Sequence, residues 1–193
     1  VLYLQGTGVP KDARQARQWI DKLVTTEHTA TMLRVGYVLL GLTGAVKDYA
    51  TARTLFQRAA ELGDGDGNVM LGNLAAGGIG EPRDFARAAD LYERAAAIGN
   101  MNAKASLMPL LMAGAGGLRR DPGKAAEYGL EALRGGSPVA RALLIEKPTT
   151  SLTPELRKAV ELRLARAGLL KRAPDGRYGP DTLAALQSAV LAK

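Results

Sequence analysis

The sequence predicts an all-α chain, a right-handed α-solenoid of antiparallel helix pairs (an α-α superhelix) followed by a small helical module. Three observations carry this expectation. Four variants of one phrase recur: GVPKDARQAR at 8–17, GAVKDYATAR at 44–53, GEPRDFARAA at 80–89 and GLRRDPGKAA at 117–126. Their shared acids, Asp12, Asp48, Asp84 and Asp121, stand 36, 36 and 37 residues apart, which is the length of one stacked supersecondary unit. Finally, an apolar content of 47% with only 5% aromatics suits closely packed helices rich in Ala and Leu.

The third unit serves as the frame for the elements. A first helix is expected from about Asn68 to Ala76, closed by the glycines of GGIG, which accept a left-handed backbone. Pro82 prevents its continuation and Asp84 is placed to cap the next helix. That second helix runs from about Phe85 to Ile98, with Phe85, Ala88, Leu91, Tyr92, Ala95 and Ala96 forming one buried stripe at spacings of three and four.

The other units repeat this chemistry. Ala16, Ala52, Ala88 and Ala125 follow the capping acid by four residues, and Trp19, Leu55, Leu91 and Tyr128 follow it by seven, so a small residue permits close approach and a large one fills the groove. Gly8, Gly44, Gly80 and Gly117 mark the turn within a unit, and Gly63, Gly99 and Gly136 the turn between units. Glu27 interrupts the second series, so the first junction is expected to differ. In the fourth unit Pro109 stands where Gly72 stands, and Gly123 and Gly129 weaken its second helix, so distortion is expected there. Val1 to Leu4 read as the last turn of a helix, as in a piece of a longer protein.

The pattern of Leu71-Gly72 (Val35-Gly36 in the preceding unit), then G-x-G-x-x-x-D, Ala-x-x-large and a closing A-A-x-x-G resembles the Sel1-like repeat family, a relative of tetratricopeptide repeats with a unit longer than their roughly 34 residues. The resemblance covers about residues 1–137. PVARALLIEK at 138–147 reads as the first helix of an uncompleted fifth unit that covers the end of the stack. Residues 1–147 are thus expected to form the repeat domain: a truncated first unit, three further units and a capping helix.

Residues 148–193 read as a second module. PTTSLTPE is a linker and helix start, with Thr153 as N-cap and Pro154 in the first turn. A helix to about Ala167 ends at Gly168, an Asp-Gly turn follows, and a last helix begins at Pro180. Leu164, Gly168 and Leu169, then Asp175, Gly176, Gly179, Pro180 and Thr182, then Ala185 and Leu186 resemble the three-helix peptidoglycan-binding module of bacterial cell-wall proteins. Val160-Glu161 and Ala189-Val190 depart from that family's Leu-Gln and Phe-Gln. The residues also have purely structural readings: Asp175 and Gly176 make the turn, and Thr182 bonds locally.

The charge is asymmetric. Residues 1–137 carry 16 basic and 14 acidic side chains, whereas 138–193 carry 10 and 5. The tail excess suits either an anionic partner or simple solubility. Arg157, Arg166, Lys171, Arg172, Arg177 and Tyr178 are the candidates for contact with a carboxylate-bearing polymer, against the alternative of a solvated face.

Catalytic and metal centres find little material. His28 is the single histidine and there is no cysteine, which leaves nucleophilic triads and tetrahedral zinc without their ligands and cofactors without a motif. Asp64-x-Asp66-x-Asn68 opens like a calcium loop, but Val69 and Ala75 stand at the positions that need Gly and Glu. GAGG at 114–117 lacks the Lys-Ser/Thr ending of a phosphate loop.

The expected function is therefore a non-catalytic protein–protein interaction scaffold. A protein or peptide would lie on the concave face lined by first helices, where Tyr37 and Asn73 hold equivalent positions; both residues would also suit packing between units. The family resemblances imply a bacterial cell-envelope protein and a periplasmic location, with a cytoplasmic one open, and a tail that contacts peptidoglycan. They equally imply an alternative, the accessory C-terminal region of a larger enzyme or signalling protein, peptidase-like for example. Nucleic acid is the weaker partner class, since the tail has almost no aromatic residues for stacking.

Overall fold

A computed structural model of the chain describes residues 3, 8, 10–41 and 47–191. Every regular element among them is helical. The fold is all-α, as the repeat spacing predicted. The chain forms two compact units, Val1–Asp84 and Phe85–Lys193.

The first unit contains α1 (Ala13–Val24), α2 (Thr29–Leu39), α3 (Tyr49–Glu61) and α4 (Gly65–Gly77). Met32, Leu39, Leu55, Phe56 and Leu74 are its fully enclosed large side chains among the described residues. Its helices approach closely because glycines lie where they touch. A β-carbon on Gly36 would sit 2.3 Å from the Phe56 ring, and one on Gly67 would sit 2.6 Å from the Ala60 amide nitrogen.

The recurring phrase has a specific backbone role. The amides of Asp12, Asp48, Asp84 and Asp121 donate to the carbonyls of Tyr3, Leu39, Ala75 and Leu111, at 2.8–3.1 Å, and so fold each capping acid back onto the end of the preceding helix. The carboxylates of Asp12, Asp48 and Asp121 accept from the amides of Gln15, Thr51 and Lys124, as helix caps should. Gly44 and Val1 to Leu4, apart from Tyr3, lie outside the described residues.

Junctions between units use a second device. Gly63, Gly99 and Gly136 have φ of +86°, +85° and +79°, and the amides of the next residues, Asp64, Asn100 and Ser137, reach back to Ala59, Ala95 and Ala132. The same three residues then cap the following helix with their side chains. Left-handed glycine closes one helix and its neighbour opens the next. With Glu27 in the glycine position, the first junction does differ: the Thr25 and Thr26 hydroxyls donate to the carbonyls of Lys22 and Leu23. His28 then precedes α2 without a side-chain cap.

The second unit contains α5 (Phe85–Ala97), α6 (Met101–Ala113), α7 (Pro122–Arg134), α8 (Pro138–Arg141) with a π turn at Ala142–Glu146, α9 (Pro148–Ser151), α10 (Pro154–Arg166) and α11 (Pro180–Leu191). Within the second unit α10 packs on α7. Arg163 makes that contact specific, donating to the Gly123 carbonyl at 3.0 Å and to Glu127 at 2.7 Å.

Several local expectations need correction. The first helix of the third unit starts at Gly65, not Asn68, because Asp64 caps it. Phe85 is 39% exposed and does not belong to the buried stripe, and Trp19, expected to fill a groove, is 59% exposed; Lys22 lies over the Trp19 ring. The fourth unit keeps two helices of 13 residues, the same length as α4 and α5. Gly129 faces α6 across the pair: a β-carbon there would lie 2.8 Å from the Met108 methyl, the flexible end of that side chain. The presumed linker from Pro148 holds a helical turn, α9.

Candidate functional site

The tail loop is organised by a residue counted above only as a departure from a family pattern. Glu161, on α10, is completely buried. Its Oε2 accepts from the amides of Asp175 at 2.9 Å and Gly176 at 2.7 Å, and its Oε1 accepts from Arg172 at 2.5 Å and the Thr182 hydroxyl at 2.9 Å. A buried carboxylate is tolerable only when paired and fully bonded, and this one is. The signal in the sequence was an acid on the apolar side of α10, between Val160 and Leu164.

This arrangement sorts the six tail candidates. Arg172 is committed inward, to Glu161, to the Thr182 hydroxyl and, at 2.8 Å, to Asp175; it is not a free contact residue. Arg157 is half-buried and donates to the Gly176 carbonyl at 2.8 Å. Tyr178 is largely enclosed and its hydroxyl has no hydrogen-bond partner; burial pushes that hydroxyl up, and the Glu161 charge adds to the effect. Arg166, Lys171 and Arg177 are exposed. Thr182 is buried and bonds across the loop to α10, not locally.

Asp175 contributes at the loop surface. The Arg177 amide, and then Arg172, hold its carboxyl below the usual range. Gly176 has φ +77°, and a β-carbon there would lie 2.7 Å from the Pro154 carbonyl oxygen, so the loop passes against the start of α10 where only glycine fits.

The repeat candidates lie in the first unit. Tyr37 on α2 is 40% exposed, and its ring stands edge-on to Phe56 with centroids 6.1 Å apart. Burial raises its hydroxyl, with Asp66 adding a smaller push. Asn73 occupies the equivalent position on α4, is exposed, and donates to the Met70 sulfur at 3.8 Å. Both residues are exposed on helices that also contribute buried residues to the core.

Among the described residues no group of His, Cys, Asp or Glu is arranged to hold a metal ion. None of their helices is long and apolar enough to cross a membrane.

Tandem helix pairs that repeat the same Asp amide bond, three of them closed by the same left-handed glycine, define a helical-repeat protein. Residues 1–23, 29–64, 66–100 and 110–137 match the family model described as Sel1 repeat, and the chain belongs to that family. Such repeats are typically protein–protein interaction scaffolds and generally non-catalytic. The matched residues end at Ser137.

The fold is similar to the crystal structure of a Sel1 repeat protein from Oxalobacter formigenes, with 27% identity and a TM-score of 0.62, over 100% of this chain and 70% of that one. It is also similar to c5321, a protective antigen present in uropathogenic Escherichia coli strains and displaying an SLR fold. There the identity is 23% and the TM-score 0.60, over 86% of this chain but 36% of that one. The second likeness concerns the fold alone. No curated protein matches the chain.

Proposed function

We propose that the chain is a non-catalytic interaction scaffold of a bacterial cell-envelope protein acting in the periplasm, with a protein partner on the face carrying Tyr37 and Asn73 and a tail that contacts peptidoglycan. The observation that supports a partner face is the state of Tyr37: its ring stands edge-on to Phe56 while the residue remains 40% exposed. An aromatic held in one orientation loses little entropy on binding. For the tail, Arg166, Lys171 and Arg177 supply exposed charge beside a loop that Glu161 holds rigid, and exposed guanidinium and ammonium groups suit a carboxylate-bearing polymer.

The whole chain is tested by co-sedimentation with purified peptidoglycan at low and high salt. Retention at low salt that falls when Arg166, Lys171 and Arg177 are together changed to Glu supports the tail contact. Absence of retention at low salt leaves only the repeat scaffold, whose partner is then sought by photocrosslinking from position 37.

A further inference from the structure

The second unit contains a cavity of about 330 Å³ whose lining owes nothing to the tail loop or to the Tyr37 face. Met108, Leu152 and Leu156, all buried, form its floor, and Pro109, Met112 and Leu143 its walls. It exists because three elements fail to close on one another. Leu143 rides the π turn after α8, Leu152 sits in the break between α9 and α10, and Met108 and Met112 line one side of α6. Aliphatic and thioether walls of this kind adapt to an apolar guest.

Its mouth carries charge. Arg120 and Glu155 pair there, each about half exposed. An exposed ion pair contributes little and is readily rearranged, so it is a poor permanent seal. Arg120 reaches Glu155 through Nη2, and its other donors carry no hydrogen bond among the described residues. A guanidinium with an unused edge matches a second carboxylate in a bidentate manner.

We propose that this cavity binds an amphipathic monocarboxylate, with its apolar chain on Met108, Leu152 and Leu156 and its carboxylate on Arg120. At about 30 Å³ for each water-sized group the space holds about eleven such groups, which fits a chain of roughly eight to ten carbons with its head at the mouth. Transfer of that chain from water onto an apolar floor supplies the driving force, and Arg120 selects the head.

The test is calorimetric titration of the full chain with decanoate, decanol and decyltrimethylammonium, each below its aggregation concentration. Decanoate is expected to bind with one site and to be the tightest of the three. Arg120→Gln should weaken decanoate about fivefold and leave decanol unchanged, because both charged residues are exposed and the floor is untouched. Glu155→Gln, which removes the competing carboxylate, should tighten decanoate about twofold to fivefold. Met112→Trp should fill the cavity and abolish all binding while circular dichroism shows the helices intact. Three results would each overturn the proposal: no saturable decanoate binding, equal or tighter binding of the ammonium, or decanoate affinity indifferent to Arg120→Gln.

Discussion

Glu161 illustrates how much one side chain can decide. It accepts four hydrogen bonds while fully enclosed, and it joins α10 to the loop and to the start of α11. Glu161→Ala leaves two amides, Thr182 and Arg172 without their acceptor, and we expect a loss of about 3 kcal/mol, within the range for breaking a buried pair. Glu161→Gln retains one carbonyl oxygen but turns an NH₂ group toward donors, and should cost less than half as much, roughly 1 kcal/mol. Denaturant unfolding of the two variants checks the order. If the alanine variant is as stable as the parent, the network is not what holds the loop. The acid was visible in the sequence, whereas its acceptor role was not. Its partners come 11 to 21 residues later, and nothing in local spacing says which of them turn inward.

At the scale of helices, glycines divide into those that yield and those that cannot. A β-carbon on Gly67 would meet backbone atoms of α3, the Ala60 nitrogen at 2.6 Å and the Phe56 oxygen at 2.7 Å. Gly129 would meet the flexible end of Met108. Alanine gains about 1 kcal/mol of helix propensity over glycine at either site, so any net loss comes from the clash. Gly129→Ala is expected to change stability by less than about 1 kcal/mol, since the thioether can rotate, whereas Gly67→Ala should lose about 3 kcal/mol by forcing two helices apart. Thermal unfolding of both variants measures the difference. Most helix starts and stops were readable in advance, because capping acids and closing glycines act through their own backbone; Asp12, Asp48 and Asp121 cap as expected, whereas the start at Gly65 and the turn at Pro148–Ser151 were missed. Burial of the large residues was less readable. Trp19 and Leu55 hold the same repeat position, yet one is 59% exposed and the other 0%, because exposure depends on what neighbouring elements cover.

Within the second unit of the molecule, the tail is bound to the fourth repeat. Arg163 spans 36 residues of sequence to Glu127 and 40 to the Gly123 carbonyl. The ion pair is a third to a half exposed, so a double-mutant cycle on Arg163→Ala and Glu127→Ala should give a coupling of only about 0.5–1 kcal/mol. Arg163→Ala alone should lose more than Glu127→Ala, since it also abandons the bond to Gly123. Equal single-mutant losses in thermal unfolding would mean that the backbone bond contributes nothing.

The sequence by itself determined the all-α class, the repeat period, the family and most helix ends, since each rests on chemistry repeated within a few residues of itself. Only the tertiary structure decided that α10 joins the fourth repeat, that Arg172 faces inward while Arg166, Lys171 and Arg177 remain exposed, and that a cavity lies among α6, the π turn and α10. These depend on contacts between residues far apart in the chain. Such contacts are set by which surfaces bury most favourably together, and no local pattern encodes that.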